Sequence, residues 1–256
     1  MRSNTAAAVS VIIPTLNESG TIGCLLADLA QQTLAPTEIL VIDGGSTDTT
    51  VAEVESLAEH SPSLPVRIIH SARGVGHQRN VGGHQAKGKW LYFFDADVRV
   101  PPEFIEKSQR LLEARNLESA CPRYWPWHSF VWTQAFFAVA NFVFWIGQRR
   151  YPAGVGACIL MQRTVFASIG GFRPELLVDD LDGIYRMGKA SRFAILPISV
   201  WVSDRRFREE GFWTVIWKYW QISGAFVRGN LAKTNTIEYR FGEHDTTPKK
   251  SEPPTF

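Results

Sequence analysis

Residues 90–100 read WLYFFDADVRV, an apolar run that ends on two aspartates one residue apart, Asp95 and Asp97. Two carboxylates at the mouth of a buried strand repel each other unless a positive charge sits between them. A hard divalent cation carrying phosphate oxygens meets that need, because Mg²⁺ is held by one or two carboxylates plus substrate phosphates. A polar turn that merely begins with two aspartates is the competing reading. Asp43 follows a second apolar run in IDGGSTD, where glycines let backbone approach a ligand and the carboxylate is suited to a nucleobase or ribose. An aspartate in a tight turn is the alternative there. Arg79 and Asn80 follow RGVGHQ and are placed either to reach a base or diphosphate or to line a solvated helix face. In VDDLDGIYR, Asp179, Asp180 and Asp182 lie within four residues, with Arg186 one helical turn after Asp182. An Asp182–Arg186 pair at i,i+4 would fix that segment. Asp180 is then left as a general base for a substrate hydroxyl.

These groups need a frame that brings them together. Short apolar runs at 9–13, 38–42, 66–70 and 90–94 alternate with helical stretches ending near 32, at 49–59 and at 77–87. Asn17, Glu18 and Ser19 are read as capping the first helix and Gly88 as closing the third. That alternation predicts an α/β fold, a mostly parallel sheet with helices on both faces. In such sheets ligands bind beyond the carboxyl ends of the strands, and PTLNE, DGGSTD and DAD all follow strand ends. After Pro102 the expected order is a helix at 102–115, an aromatic stretch, a strand within 151–161, a loop entering a helix at 178–190 and a strand at 193–197.

Composition bounds the rest. At 256 residues, with 45% hydrophobic and 20% charged residues, the chain is long enough for one large domain with a substantial core. A net charge of +2 is too small to argue for nucleic acid. Cys24, Cys121 and Cys158 show no CxxC spacing, so neither a zinc site nor a disulfide framework is expected, and a reducing, cytoplasmic compartment fits. Residues 1–8 carry no signal-peptide pattern. The polar residues 234–256 read as a disordered tail.

The pieces VSVIIPTLNES, VIDGGSTDTT, RN-x-G (Arg79, Asn80, Gly82), AKGKWLYFFDADV, GGF (170–172), DDLDGIYR and SDRR occur in an order and spacing that resemble the family 2 glycosyltransferases of the GT-A, Rossmann-like fold. The resemblance runs from Val9 to about Arg206. It implies a single GT-A domain over 1–233, with 9–100 as the nucleotide-binding half and 101–233 as the acceptor half. It also implies that the first strand end (Pro14, Thr15, Asn17, Glu18), Asp43, Arg79, Asp95, Asp97, Asp179 and Arg206 hold a UDP- or GDP-sugar. Within the DXD pair, Asp95 falls on the nucleotide side and Asp97 on the metal, Mg²⁺ or Mn²⁺. The family's Glu-Asp motif falls on Asp179–Asp180, making Asp180 the base of an inverting transfer. Two departures stand out: DGGS replaces the usual VDDGS, so Gly44 removes a carboxylate. VWVSDRR also lacks the histidine that often joins the metal site. The QxxRW signature of processive members is absent, which favours transfer of a single sugar.

Nine tryptophans and sixteen phenylalanines are spread unevenly: nine of these residues lie from Trp125 to Trp145 and a second cluster runs from Phe212 to Trp220, giving candidate interfacial helices at 128–148 and 210–228. Residues 130–147 carry no charge, yet Gln134, Asn141 and Gln148 recur every seven residues as a polar stripe. In the second segment Thr214, Lys218, Gln221 and Arg228 share a face. Helices lying in a membrane interface have such stripes, which would make the acceptor lipid or lipid-linked. Core or dimer helices are the alternative. Competing functions are a non-catalytic GT-A domain and, more remotely, a haloacid-dehalogenase-type phosphatase with DxD after a strand. A dinucleotide dehydrogenase is weaker still, because GVGHQR lacks the third glycine.

Overall fold

The computed structural model describes residues 8–61, 64–127 and 130–236. Strands and helices alternate through its first part: β1 (Val9–Thr15), α1 (Ile22–Ala30), β2 (Glu38–Asp43), α2 (Thr50–His60), β3 (Val66–His70), α3 (Val75–Gln85) and β4 (Trp90–Phe94). The rest comprises β5 (Val98–Arg99), α4 (Phe104–Ala114), β6 (Ser119–Pro126), α5 (Val131–Gly147), β7 (Cys158–Gln162) and α6 (Arg163–Ser168). It closes with α7 (Asp179–Ala190), β8 (Phe193–Val202), α8 (Arg205–Glu210), α9 (Phe212–Val227) and a 3₁₀ turn (Leu231–Thr236).

The strands form one sheet in the order β3-β2-β1-β4-β7-β6-β8-β5. The first four are parallel, as the alternating pattern requires; β7 then runs antiparallel to both β4 and β6, β6 is parallel to β8, and β5 is antiparallel to β8. Successive strand residues face opposite sides. Val11, Ile13, Tyr92 and Phe94 therefore enter one core with α1, α2 and α4, while Ile12, Ile42, Leu91 and Phe93 enter another with α6 and α7. Because β1 to β4 are parallel, Thr15, Asp43 and Phe94 end on one rim.

Helix α3 is brought very close to that sheet. A Cβ on Gly82 would collide with Ile12, so the glycine of RN-x-G serves helix–strand contact. The same closeness places Gln78 and Arg79 at the strand ends. Several local expectations differ from the fold. Helix α1 starts after Thr21, held by backbone N–H groups of Thr21 and Ile22 donating to Glu18 O at 3.1 Å, without a side-chain cap from Asn17, Glu18 or Ser19. Helix α3 ends at Gln85, and Gly88 packs its backbone against Ser10 instead of capping the helix. Strand β6 lies where an aromatic stretch was expected. The 3₁₀ turn carries order past the expected tail boundary, with Thr234 buried and the Asn235 carboxamide bonded to Leu177 N and Glu175 O at 2.8 Å. Residues 237–256 of that tail lie outside the described residues, as does His128 at the start of the first aromatic segment.

Candidate active site

The rim of β1, β2 and β4 gathers the motifs. Pro14 and Thr15 end β1 with buried side chains, and Thr15 O accepts the Gly44 N–H at 2.9 Å and Gln78 Nε2 at 2.8 Å. Gln78 also donates to Ile42 O at 2.6 Å, so one buried carboxamide ties the ends of β1 and β2. A Cβ on Gly44 would stand 3.0 Å from that carboxamide, so a second carboxylate after Asp43 would require Gln78 to give way. Gln78 was not singled out in the sequence; the glycine in place of aspartate was the signal that something else fills the space.

Asp43 is buried and organises the turn, accepting N–H groups from Gly45 and Ser46 at 3.1 Å, with His70 Nδ1 at 3.4 Å. Burial raises its pKa, but the hydrogen bonds from Ser46, Gly45 and His70 outweigh this and hold the carboxyl below its ordinary range. Asn17 adopts φ 54°, and its Oδ1 accepts the Thr47 N–H at 2.9 Å, locking the PTLNE loop to the DGGSTD loop. Glu18 adds a second tie, its N–H donating to Thr50 Oγ1 at 2.8 Å.

The DAD segment turns immediately after β4. Pairing of Phe94 with Cys158 in β7 draws the 154–157 loop alongside Asp95. Arg79 is the hub: Nη2 donates to Asp95 at 2.9 Å and to Gly156 O at 3.3 Å, and Nη1 donates to Asp179 at 3.0 Å. Its guanidinium lies over the Phe172 ring at 5.4 Å. Asn80 bonds both backbone groups of Phe172, at 2.7 and 2.8 Å, so RN-x-G and GGF form one structural unit. Arg79 and Asn80 are thus engaged inside the protein and do not line a solvated helix face.

Asp180 opens α7, where helix dipole and orphan N–H groups favour an anion. Its Oδ2 accepts the Gly156 N–H at 3.0 Å, and a Cβ on Gly156 would collide with that carboxylate. Asp182 is paired with Arg186 at 2.6 Å, as the spacing predicts, and with Arg173 at 3.3 Å. That leaves Asp180 alone of the three facing the 156 loop.

Charge is unbalanced at this rim. Burial, then the charges of Glu18 and Asp95, push the Asp97 carboxyl up to about 7, against the pull of Arg205 and Arg206. Arg205 stands 3.8 Å from Asp97. Burial also raises Asp95, with Arg79 opposing and Asp180 adding to the rise. Asp179 is pushed up to about 6 by burial, again opposed by Arg79. Burial alone would lower Arg79, but Asp179, Asp95 and Asp180 outweigh it and keep the guanidinium cationic. Asp95 and Asp97 remain 38% and 26% exposed. Crowded, accessible carboxylates of this kind are a hard-oxygen donor set for a divalent cation. Among the described residues no cluster of three or more His, Cys, Asp or Glu is assembled to hold a metal.

A family model described as glycosyl transferase family 2 matches residues 10–167. An uncharacterized glycosyltransferase of Haemophilus influenzae is 35% identical over 107 residues, 41% of this chain and 34% of that protein. The dolichol-phosphate mannosyltransferase of Saccharomyces cerevisiae is 31% identical over 102 residues, 38% of each chain. The matched part thus spans little more than a third of the length of these curated relatives. Among solved structures, the mannosyltransferase PcManGT of Pyrobaculum calidifontis in complex with GDP-Man and Mn²⁺ aligns with a TM-score of 0.70 at 22% identity, over 92% of this chain and 66% of that one. S. aureus TarS 1-349 in complex with UDP-GlcNAc aligns with a TM-score of 0.64 at 19% identity, over 77% and 59%. At these identities the likeness is one of fold, the curled α/β sheet of GT-A glycosyltransferases.

Proposed function

The chain belongs to glycosyl transferase family 2, and from that premise we propose that it moves one sugar from a nucleoside-diphosphate sugar to an acceptor hydroxyl or phosphate with inversion. The observation that carries this reading is the Arg79 bridge, which links the DAD rim to the acidic start of α7 through side chains 2.9 and 3.0 Å apart. Donor-binding and base-bearing segments are thereby parts of one site.

In this reading the turns fixed by Asp43, Asn17 and Gln78 form the nucleoside wall, with Glu18 and Asp95 beside the ribose. Arg205 and Arg206, close to Asp97, steady the diphosphate. Asp97, with Asp95, would hold a divalent cation, which supplies neutralisation of the charge that develops on the diphosphate oxygens. Asp180 accepts the proton of the acceptor oxygen while that oxygen attacks the anomeric carbon. The bond between that carbon and the phosphate oxygen breaks, and the nucleoside diphosphate leaves with the bonding pair. Single displacement inverts the anomeric configuration. The Gly156 N–H at 3.0 Å aims the Asp180 carboxylate throughout.

The acceptor in this reading is lipid or lipid-linked, met at a membrane surface from its cytoplasmic side. Similarity to the dolichol-phosphate mannosyltransferase supports a lipid phosphate as one such acceptor. A screen of UDP- and GDP-sugars with Mn²⁺ or Mg²⁺, following nucleoside diphosphate release with and without membrane extract, tests the proposal. Release from one donor that rises with extract is expected. Tight nucleotide binding with no turnover on any donor would instead make this a binding domain.

A further inference from the structure

Helix α5 is turned inside out relative to an ordinary surface helix. Two of the three residues of its polar stripe face the protein: Asn141 is buried, accepts the Tyr124 N–H at 3.2 Å and donates to Tyr124 O at 2.8 Å. Gln148 accepts the Ile195 N–H at 2.9 Å. Asn141 and Gln148 are therefore spent on β6 and β8, while Gln134 is exposed beside an apolar face that points outward, with Trp132 at 75%, Phe142 at 57% and Ile146 at 64% exposure. Helix α9 repeats the pattern, exposing Trp213, Trp217 and Trp220 along one stripe while Val215 and Ile222 are buried. Phe136 of α5 stacks on Tyr219 of α9 at 5.7 Å, so the two helices are neighbours.

Soluble proteins rarely expose apolar patches larger than a few hundred Å² without a binding role. We infer that the outward faces of α5 and α9 form one surface that inserts into the headgroup region of an anionic bilayer. Three observations select a membrane over a protein partner. Residues 130–151 and 211–230 carry Arg149, Arg150 and Arg228 and no Asp or Glu of their own, Lys218 being paired with Glu210 at 2.7 Å; the three arginines complement an anionic surface. Indole rings, amphipathic and wide, dominate the stripe on α9, as they do where proteins sit at headgroup level. The anchoring of Asn141 and Gln148 to the sheet holds α5 along the protein surface, and no helix among the described residues is long and apolar enough to cross a membrane. A surface that lies in the interface, with no helix spanning the bilayer, fits both. This deepens the reading of a lipid acceptor: α5 is tied to β6 and β8, and Asp180 to the loop that enters β7 of the same sheet, so docking would bring the site to a membrane-borne hydroxyl or phosphate.

Flotation of the whole chain with phosphatidylcholine vesicles, with and without phosphatidylglycerol, tests this directly. The wild type is expected to float with the anionic vesicles, and Trp213→Ala/Trp217→Ala/Trp220→Ala to lower partitioning by more than about tenfold. Arg149→Glu/Arg150→Glu should remove the preference for anionic lipid. Brominated acyl chains should quench wild-type tryptophan fluorescence. Circular dichroism and nucleotide binding, both expected unchanged because these side chains are exposed, separate loss of docking from misfolding. Wild-type protein that stays monomeric and unbound overturns the inference. So does a wild-type dimer that the tryptophan substitutions dissociate, since the surface would then belong to a second copy. Flotation without sugar transfer would leave the surface standing and remove the catalytic reading.

Discussion

Replacing Arg79 with glutamine removes the cation on which Asp95 and Asp179 converge. The two halves of the bridge differ: the Asp95 side chain is 38% exposed and can recover water, whereas that of Asp179 is 8% exposed and cannot. Breaking a buried pair by deleting one partner costs about 3–5 kcal/mol, and with one half open to solvent the lower end, about 3 kcal/mol, applies here. For a chain of this size that corresponds to a fall of roughly 6–12 °C in Tm. The loss should depend on pH in a defined direction. Asp179 already sits at about 6, above its ordinary 3.8, because burial outweighs Arg79. A carboxyl whose folded-state pKa is raised loses stability as pH rises toward that value, and without Arg79 the window moves higher still. Arg79→Gln should therefore lie closest to wild type near pH 5, where Asp179 takes a proton, and furthest from it at pH 8. Thermal and urea denaturation of the ligand-free protein across that range is the assay. Arg79→Gln/Asp179→Asn should recover part of the loss, with a coupling of at least ~1.5 kcal/mol. A variant that melts within about 1 °C of wild type at pH 8 refutes the bridge, as does a deficit that does not change with pH.

Gly156→Ala puts a methyl group against the Asp180 carboxylate, so transfer should fall about a hundredfold or more while donor Kd, measured by calorimetry, stays within about twofold. The proposed cation role of Asp97 sets proton against metal at a carboxyl held up to about 7; apparent Mn²⁺ affinity in the presence of nucleoside diphosphate should rise by up to about tenfold per pH unit below that value and flatten above it, and Asp97→Asn should abolish this dependence. Asn141→Ala leaves the Tyr124 N–H and C=O without their side-chain partner, which should cost about 1–3 kcal/mol in urea denaturation and loosen α5.

The parallel half of the fold was legible because it is written locally. Runs such as EILVI and WLYFF are buried on both faces and bounded by turn residues, so their place in a parallel sheet follows from pattern alone. Strand β6 was not legible: its residues SACPRYWP include two prolines and merge with the aromatic run, and it pairs with β8 across more than seventy residues of chain. The Asp182–Arg186 pair was readable from helical spacing, whereas the contacts of Arg79 with Asp95 and Asp179 join residues 16 and 100 positions apart. The polar stripe on α5 was visible as a period, but a period cannot say which side faces the protein. That was decided by the backbone groups of Tyr124 and Ile195, which needed partners.

The central claim, that Asp180 removes the acceptor proton in a sugar transfer, is tested most directly by Asp180→Asn. This nearly isosteric change keeps an oxygen to accept the Gly156 N–H and removes the base. With the donor identified, acceptor-dependent release of nucleoside diphosphate should fall by about 10²–10⁴-fold, with donor affinity unchanged. Transfer at the wild-type rate by Asp180→Asn would contradict the account.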